Sequence, residues 1–342
     1  MKVLAIRTDF EHHGDHSGYK QILKYTNPFK VLGIVEKDIH LTPRVKQKYQ
    51  WLHEFEIRRY KKEIDLIHIM YGEDYFRFST SLFKDIPVVA TFHQPPESLE
   101  KEITTGSLRG TIGKITHRLS RKRFEKLAAA IVTNQNQKLV LKRVMPESKI
   151  YVIPLGIQLL EINKFLLDKK PNLDSKNVIT VGNWLRDWDF YFEVVRKLPE
   201  YSFQLINRAL PPEYVNLAKT LPNLTYFSNI SDTEMYNLML KASVQFHPVT
   251  GIAGSNAILQ GMALGCPIVL TNFEGESNVS NEAIFPYQRD DLEDAILQIQ
   301  RLLEMSKLEK LTLRNKAKAY ASKFSWKEIA QRTKEVYKQV VK

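Results

Sequence analysis

A run of small residues follows an apolar strand and precedes a short apolar helix, within the segment from His247 to Asn272. The loop contains four residues whose side chains are small or absent: Gly251, Ala253, Gly254 and Ser255. Such residues let a ligand approach the backbone closely. A helix predicted from about Asn256 to Leu264 points its free N–H groups and positive dipole end into this loop. The pattern predicts a pocket for a diphosphate-bearing ligand, and its alternative is an ordinary buried strand-loop-helix unit.

Strand-like and helix-like segments alternate along the whole chain. The first series contains six strand-like runs: Lys2–Ile6, Val31–Val35, Asp65–Met70, Pro87–Phe92, Ala128–Thr133 and Tyr151–Pro154. The second series contains five: Val178–Val181, Phe203–Ile206, Leu224–Phe227, Val244–Phe246 and Pro267–Leu270. This alternation predicts two α/β domains with parallel sheets, joined by a polar linker from about Glu161 to Lys176. Ligand chemistry is expected in a cleft that the carboxyl ends of the strands face.

Composition narrows the class of protein. The chain has 342 residues, of which 43% are hydrophobic, enough to bury a core in each of two domains. No window approaches the roughly 18 uncharged residues of a membrane span, and the N-terminal apolar run is too short for a secretory signal. The single cysteine, Cys266, cannot form an intrachain disulfide, which fits a reducing compartment. We therefore expect a soluble cytoplasmic protein.

The net charge of +12 is concentrated in one segment. Residues 101–150 carry twelve basic and three acidic side chains, which accounts for nine of the twelve excess charges. Within this segment, Ser107–Lys126 places leucine and isoleucine at helical spacing, with basic residues largely on the other faces. This pattern is typical of a helix on the anionic inner face of a membrane, and equally of a solvated helix packed on the core. Nucleic acid is not the expected partner, because the aromatic residues are not interleaved with the basic ones.

The segment Pro248–Pro267, PVTGIAGSNAILQGMALGCP, resembles the donor-site signature of family-four glycosyltransferases (glycosyl transferases group 1), which have the GT-B fold. Four other segments resemble parts of the same family: Pro87–His93, Lys149–Gly156, Ile179–Gly182 and Phe324–Trp326. Their order and spacing extend the resemblance over essentially the whole chain. The resemblance implies two Rossmann-like domains facing a central cleft, with an acceptor domain at 1–160, a donor domain at 161–322 and a returning helix at 323–342.

The chain departs from the family signature at two acidic positions. The signature has two glutamates eight positions apart, one contacting the transferred sugar and the other the ribose, and here Ile252 and Gln260 replace them. Gln260 can still hydrogen-bond a ribose hydroxyl, although more weakly than a carboxylate. Asn256 is the expected polar substitute for the sugar contact, with the backbone of Ala253 to Asn256.

The resemblance also implies a basic pair that binds the pyrophosphate after the first strand of the second domain. Asn183 occupies the usual arginine position, so Arg186 is the expected phosphate clamp and a catalytic residue, and Arg208 a second donor-site cation. Fixed positive charge stabilises the negative charge that develops on the leaving group. Each arginine could instead be an ordinary surface residue.

The first domain supplies the expected acceptor contacts. In the loop after the first strand, Gly14 and Gly18 match the family's donor-contacting glycines, and His16, Ser17 and Tyr19 are the expected acceptor contacts. The three histidines of this loop do not form a convincing zinc site. His93 ends an apolar strand, where it could accept from or orient an acceptor hydroxyl, so it is the expected catalytic histidine.

Two other enzyme classes fit less well. Asp187-Trp188-Asp189 formally matches a manganese-binding D-x-D, but these acids lie where a helix is expected to begin, a position that favours acids electrostatically. A nicotinamide dehydrogenase is disfavoured, because no G-x-G-x-x-G follows the first strand.

The resemblance therefore implies a glycosyltransferase that moves a sugar from a nucleotide-diphosphate sugar to a hydroxyl acceptor, with retention and without a metal or other cofactor. A lipid-linked saccharide or polysaccharide precursor of the cell envelope is the expected acceptor, because the first domain is basic. The alternatives are a non-catalytic GT-B binding or scaffold protein, and a nucleotide-sugar hydrolase or epimerase.

Overall fold

The structure is a computed structural model, and it describes residues 1–10, 18–36, 56–75, 79–104, 121–251, 255–272 and 282–341. The chain divides into two compact units. The first contains Met1–Gly156 together with Trp326–Lys342, and the second contains Ile157–Ser325. The divisions expected after residues 160 and 322 lie within a few residues of these.

The first unit is built on a parallel sheet of six strands. Their bounds are β1 Val3–Phe10, β2 Lys30–Glu36, β3 Leu66–Ile69, β4 Val88–Phe92, β5 Ala129–Val132 and β6 Ile150–Val152. The helices are α1 Leu23–Thr26, α2 Gly72–Tyr75, α3 Ser79–Leu82, α4 Pro96–Thr104, α5 Gln135–Leu141 and, from the end of the chain, α13 Trp326–Val340. The strand order is β2-β1-β3-β4-β5-β6. Strands β3, β4 and β5 are buried throughout, as expected for the centre of a parallel sheet covered on both faces.

The second unit repeats this architecture. Its strands are β7 Asn177–Val181, β8 Ser202–Ile206, β9 Leu224–Phe227, β10 Val244–His247, β11 Ile268–Thr271 and β12 Ile284–Tyr287. Its helices are α6 Leu159–Leu166, α7 Trp188–Lys197, α8 Pro212–Thr220, α9 Asp232–Lys241, α10 Asn256–Ala263, α11 Leu292–Leu303 and α12 Lys307–Ala321. The sheet has the order β12-β11-β10-β7-β8-β9, and its strands are parallel. Each of the eleven predicted strand-like runs overlaps an observed strand.

Side-chain caps fix several helix starts. Asn134 and Ser306 each form a reciprocal capping box, at the starts of α5 and α12. At the start of α9, the Ser231 hydroxyl accepts from the N–H of Glu234, 3.2 Å away. Asp187 likewise caps α7, so the first acid of the D-x-D motif is occupied with helix N–H groups. None of the helices in the described ranges is long and apolar enough to cross a membrane.

One prediction about secondary structure is wrong in part, and one strand was not predicted. The first six residues of the predicted linker Glu161–Lys176 are helical, because α6 spans Leu159–Leu166 and buries Ile162 in the core of the second unit. Its apolar residues recur at helical spacing between lysines and acids that make the segment look like a linker. The sequence also missed β12, whose Pro286 is tolerated because the strand lies at the sheet edge.

The predicted basic helix Ser107–Lys126 lies largely outside the described residues. Residues 121–125 are helical. Arg123 is buried and ion-paired with Glu102, so it is not part of a basic surface, whereas Lys122 is exposed. Burial of this arginine is tolerated because the carboxylate neutralises it.

The final helix, α13, packs on the first unit. Trp326 at its start is buried against Gly156, where a Cβ would lie 2.5 Å from the indole ring. Further along the helix, Arg332 donates to the carbonyl oxygen of Val152 over 2.8 Å. The absence of a side chain at Gly156 therefore lets α13 pack closely against the segment that follows β6.

A chain of buried polar groups joins α13 to the sheet of the first unit. His68 contacts the Thr91 hydroxyl through Nε2 at 2.8 Å and the Tyr337 hydroxyl through Nδ1 at 2.6 Å. The Thr91 hydroxyl also lies 3.3 Å from that of Tyr19. Burial, with a smaller contribution from His93, lowers the pKa of His68 to about 3. The imidazole is therefore neutral, with one ring nitrogen donating and the other accepting.

This low pKa makes stability depend on pH. Between about pH 6.5 and pH 3 the unfolded chain protonates residue 68 while the folded chain does not, so acidification destabilises the fold. We expect the free energy of unfolding to fall by about 2 kcal/mol less in His68→Gln than in the wild type between pH 7 and pH 5. Urea unfolding at both pH values measures this difference. An identical pH dependence in the two proteins would show that His68 titrates normally in the folded state.

Candidate functional site

The strand order of the second unit creates a switch point between β7 and β10. From β7 the chain continues to β8 and β9 on one side, and then returns to place β10 on the other. The chain therefore leaves β7 and β10 in opposite directions along the sheet, and such a point is where open parallel sheets bind ligands at the carboxyl ends of their strands. Asn183 and Arg186 lie in the first of these loops, and Gly251 and Ser255 in the second.

Backbone hydrogen bonds join the two loops. The N–H of Asp187 donates to the carbonyl of Pro248 at 2.9 Å, and the N–H of Thr250 donates to the carbonyl of Leu185 at 3.1 Å. Between them, Arg186 and Val249 form an antiparallel bridge. The expected phosphate clamp is therefore held within a short two-stranded connection and is not on a free surface loop.

The Arg186 side chain folds back over its own loop. Its Nη1 donates to the carbonyl of Trp184 and its Nη2 to that of Val181, each at 2.9 Å. Gly182 makes room for the guanidinium, because a Cβ there would lie 2.5 Å from Nη2, and its φ of +123° suits glycine alone. The absence of a side chain at Gly182 therefore leaves the space that the Arg186 guanidinium occupies.

One hydrogen-bond donor of the Arg186 guanidinium, Nε, has no partner among the described residues. Burial lowers the pKa of its guanidinium to about 10, so it remains a cation at neutral pH. Among the residues that the structure describes, no carboxylate forms an ion pair with Arg186, and its Nε is buried without a hydrogen-bond partner. A partly buried cation bonded only to carbonyl groups can bind an anion.

Helix α10 follows the loop after β10, the same loop that pairs with the segment around Arg186. Ser255 is its N-cap residue, with an extended backbone, and its side chain makes no capping hydrogen bond. Asn256 follows, and its Oδ1 is buried without a partner in the described part of the chain. The first N–H groups of α10 are thus not capped by the side chain of Ser255. Gly251 is buried, whereas Ala253 and Gly254 lie outside the described residues.

Three predicted donor residues bind other parts of the protein. Gln260 is buried, and its amide donates to the Tyr236 hydroxyl over 3.4 Å. Asn183 accepts through Oδ1 from the N–H of Arg208 at 2.9 Å, which links the loop after β7 to the loop after β8. The side chain of Arg208 is exposed. The ligand contacts expected of these three residues remain predictions.

The sequence analysis missed His247, the last residue of β10. Its side chain is fully buried, with Nε2 3.2 Å from Oε1 of Gln245 and with Nδ1 unpartnered within the described residues. Burial and nearby Arg186 keep the pKa of His247 well below its usual value, so the ring is neutral. His93 was predicted as a functional residue because it stands at the end of an apolar strand. His247 stands at the end of β10 in the same way, so the same criterion would have found it.

In the first unit, His93 immediately follows β4. Its Nε2 donates to the carbonyl of Met70 at 3.0 Å, and its ring packs against those of Tyr19 and Tyr71, with centroids 4.5 and 5.0 Å away. Burial lowers the pKa of His93 to about 4. Because Nε2 carries the proton, Nδ1 is the acceptor of the ring, and this geometry suits a neutral hydrogen-bond acceptor.

The other predicted residues of the first unit are only partly described. Gly18 is buried with a φ of +83°, and it precedes the 3₁₀ turn Tyr19–Ile22. Tyr19 is buried, and its hydroxyl contacts Thr91, so its ring supports His93 from within the core. The remaining predicted contacts, Gly14, His16 and Ser17, lie outside the described residues.

Comparison with known proteins agrees with this architecture. Residues 14–159 match the family model described as Glycosyltransferase Family 4. No curated protein matches the chain by sequence.

Solved structures resemble the chain over nearly its full length. A sucrose-phosphate synthase from Thermosynechococcus elongatus is 16% identical, with a TM-score of 0.74 and 99% of each chain covered. A UDP-forming α,α-trehalose-phosphate synthase from Burkholderia vietnamiensis is 11% identical, with a TM-score of 0.70, covering 99% of this chain and 100% of the other. WaaG, a glycosyltransferase involved in lipopolysaccharide biosynthesis, is 14% identical, with a TM-score of 0.66, covering 98% and 99%.

At these sequence identities the solved structures show the fold alone, and the family model matches most of the residues that build the first sheet. The predicted resemblance and the predicted fold class are both confirmed. The chain therefore has the GT-B fold, and its residues 14–159 match the model of Glycosyltransferase Family 4.

Proposed function

We propose that this protein is a glycosyltransferase that moves a sugar from a nucleotide-diphosphate sugar to a hydroxyl acceptor. The observation that carries the proposal is Arg186, a cation without an ion-pair partner in the described residues, at the switch point of the second sheet. A UDP-forming synthase among the structural neighbours supports a nucleotide sugar as the donor.

In the proposed reaction, the bond between the anomeric carbon and the diphosphate oxygen breaks, and negative charge develops on the leaving diphosphate. Arg186 stabilises this charge, together with the N–H groups at the start of α10. Hydrogen bonds to two carbonyl groups hold the Arg186 side chain in place before the reaction, so little reorganisation of this residue is needed when the charge appears. We propose that the transfer proceeds with retention and without a metal, as the family resemblance implies.

His93 is the proposed partner of the acceptor hydroxyl. With Nε2 bonded to the carbonyl of Met70, Nδ1 can accept a hydrogen bond from that hydroxyl and orient its oxygen for attack on the anomeric carbon. As the new bond to carbon forms, the hydroxyl proton passes to an oxygen of the leaving diphosphate. The neutral ring, packed between Tyr19 and Tyr71, fixes the direction of this bond.

We further propose that the acceptor is a lipid-linked saccharide or polysaccharide precursor of the cell envelope, and that the protein binds the cytoplasmic face of the membrane through Ser107–Lys126. The excess of basic residues in 101–150 supports this, as does WaaG among the structural neighbours.

Nucleotide binding tests the role of Arg186. Wild-type protein should show an increased melting temperature with one of UDP, ADP or GDP in the presence of a metal chelator, because ligand binding stabilises the folded state. Arg186→Ala should weaken this binding roughly 10- to 100-fold through loss of charged hydrogen bonds, with Arg186→Lys intermediate. Arg196→Ala, a change of an exposed arginine in α7, is the control and should bind normally. Equal binding by folded Arg186→Ala would refute the clamp, and no binding of any nucleotide by the wild type would refute the proposed donor.

Transfer kinetics test the role of His93. His93→Gln should lower kcat roughly 100- to 10,000-fold while leaving nucleotide binding unchanged, because His93 is not among the proposed donor contacts. Since the pKa of His93 is about 4, the active neutral form should persist as the pH falls from 8 to about 5. A wild-type rate that falls with a midpoint near pH 6.5, and a His93→Gln rate that does not, would contradict this pKa.

Sedimentation with liposomes tests the membrane proposal. The protein should partition onto vesicles that contain anionic lipid, and the combined changes Lys114→Gln, Arg118→Gln and Lys122→Gln should weaken partition roughly 100-fold. The control removes the same charge from the second unit through Lys197→Gln, Lys219→Gln and Lys241→Gln, all exposed lysines. Equal partition onto neutral and anionic vesicles would overturn the proposal.

A further inference from the structure

Trp184 is a large aromatic side chain that remains exposed at the candidate donor site. It lies in the loop after β7, two residues before Arg186, and 59% of its surface is accessible. The other two tryptophans in the described part of the chain, Trp188 and Trp326, are buried. An exposed indole beside a cation without an ion-pair partner is a feature that folding of the second unit does not explain.

The backbone around Trp184 is held on both sides. The Trp184 carbonyl accepts from Arg186, the Leu185 carbonyl accepts from the N–H of Thr250, and the Asn183 side chain accepts from the N–H of Arg208. The exposed ring therefore belongs to a loop tied to two neighbouring loops, which lowers the entropic cost of using it to bind a ligand.

The backbone of Leu185, the residue after Trp184, is strained. This strain indicates that the surrounding contacts hold the loop in its conformation. Leu185 has a φ of +54°, in the left-handed region that a bulky non-glycine residue rarely adopts. A conformation of this kind costs on the order of 1–3 kcal/mol and persists only where the surrounding contacts determine it. Here it allows residue 185 to bond the loop after β10 while residue 183 bonds the loop after β8.

These links define on which side of Arg186 the backbone of Trp184 lies. Arg186 and Leu185 are bonded to the loop after β10, which leads to α10, whereas Asn183 is bonded to the loop after β8. Trp184 therefore lies towards β8 from Arg186. A diphosphate held between Arg186 and the start of α10 would place its sugar end at the small-residue loop, so the nucleoside end extends towards Trp184.

We infer that Trp184 is the stacking platform for the nucleobase of the donor, an inference that rests on the proposed function of this site. Every base presents a flat π face, and stacking on an aromatic side chain is largely independent of base identity. The platform therefore supplies affinity for the nucleoside, and other contacts must select the base.

Tryptophan fluorescence and calorimetric titration test this inference together. Saturating nucleoside diphosphate should quench the emission of the wild type, and Trp184→Phe should lose that quenching while binding within about 3-fold of wild type, because Phe also stacks. Trp184→Ala should bind UDP, ADP and GDP roughly 10-fold or more weakly. Inorganic pyrophosphate and a sugar 1-phosphate should bind Trp184→Ala as they bind the wild type. Leu297→Ala, which removes an exposed apolar side chain from α11, is the control and should change nothing.

The outcomes separate the platform from the donor site. Loss of nucleotide binding in Arg186→Ala with undiminished binding in folded Trp184→Ala would overturn the platform and leave the donor site intact. Weaker binding of the sugar 1-phosphate alone would overturn it too, because the ring would then face the sugar. Absence of nucleotide binding in the wild type would overturn both proposals.

Discussion

The candidate site in the second unit depends on the backbone pairing between the loops after β7 and β10. The two strands are neighbours in the sheet, but the sheet hydrogen bonds end before the loops begin, so the relative position of the loops is set by contacts of their own. The bridge between Arg186 and Val249 supplies those contacts. It fixes a cation and an exposed indole on a segment of backbone that is bonded to the loop leading to α10.

Arg186 shows how such a site can exist before a ligand arrives. A partly buried guanidinium loses hydration, and carbonyl groups restore part of it without neutralising the charge. A carboxylate in the same place would stabilise the free protein but compete with an anionic ligand. Gly182 is what makes this arrangement possible, because any side chain there would occupy the space of the guanidinium.

Three histidines, His68, His93 and His247, are neutral because burial disfavours their charged form, but their hydrogen-bond partners differ. Burial lowers the pKa of His68, His93 and His247. The two ring nitrogens of His68 join α13 to the sheet, so this residue is structural. His93 uses Nε2 on a carbonyl and keeps Nδ1 as an acceptor, whereas His247 lies beside Arg186 in the second unit. Positive charge at the described strand ends of the donor site therefore comes from arginine and not from histidine.

The sequence by itself determined the architecture and the approximate location of the site. Short apolar runs that alternate with helical patterns predict buried parallel strands covered by helices. The small-residue loop before α10 can be recognised in the sequence because its residues are adjacent in the chain. The edge strand β12 was not predicted because it contains Pro286, a residue that disfavours strands. Helix α6 was not predicted because charged residues interrupt its apolar stripe.

Only the tertiary structure decided what each polar side chain contacts. Asn183 bonds a residue 25 positions away, Gln260 one 24 positions away, and Tyr19 one 72 positions away. Such partners are brought together by strand order, which no local pattern encodes. For the same reason the sequence could nominate Arg186 but could not show that it lacks an ion pair in the described chain, nor that the neighbouring tryptophan is the one left exposed.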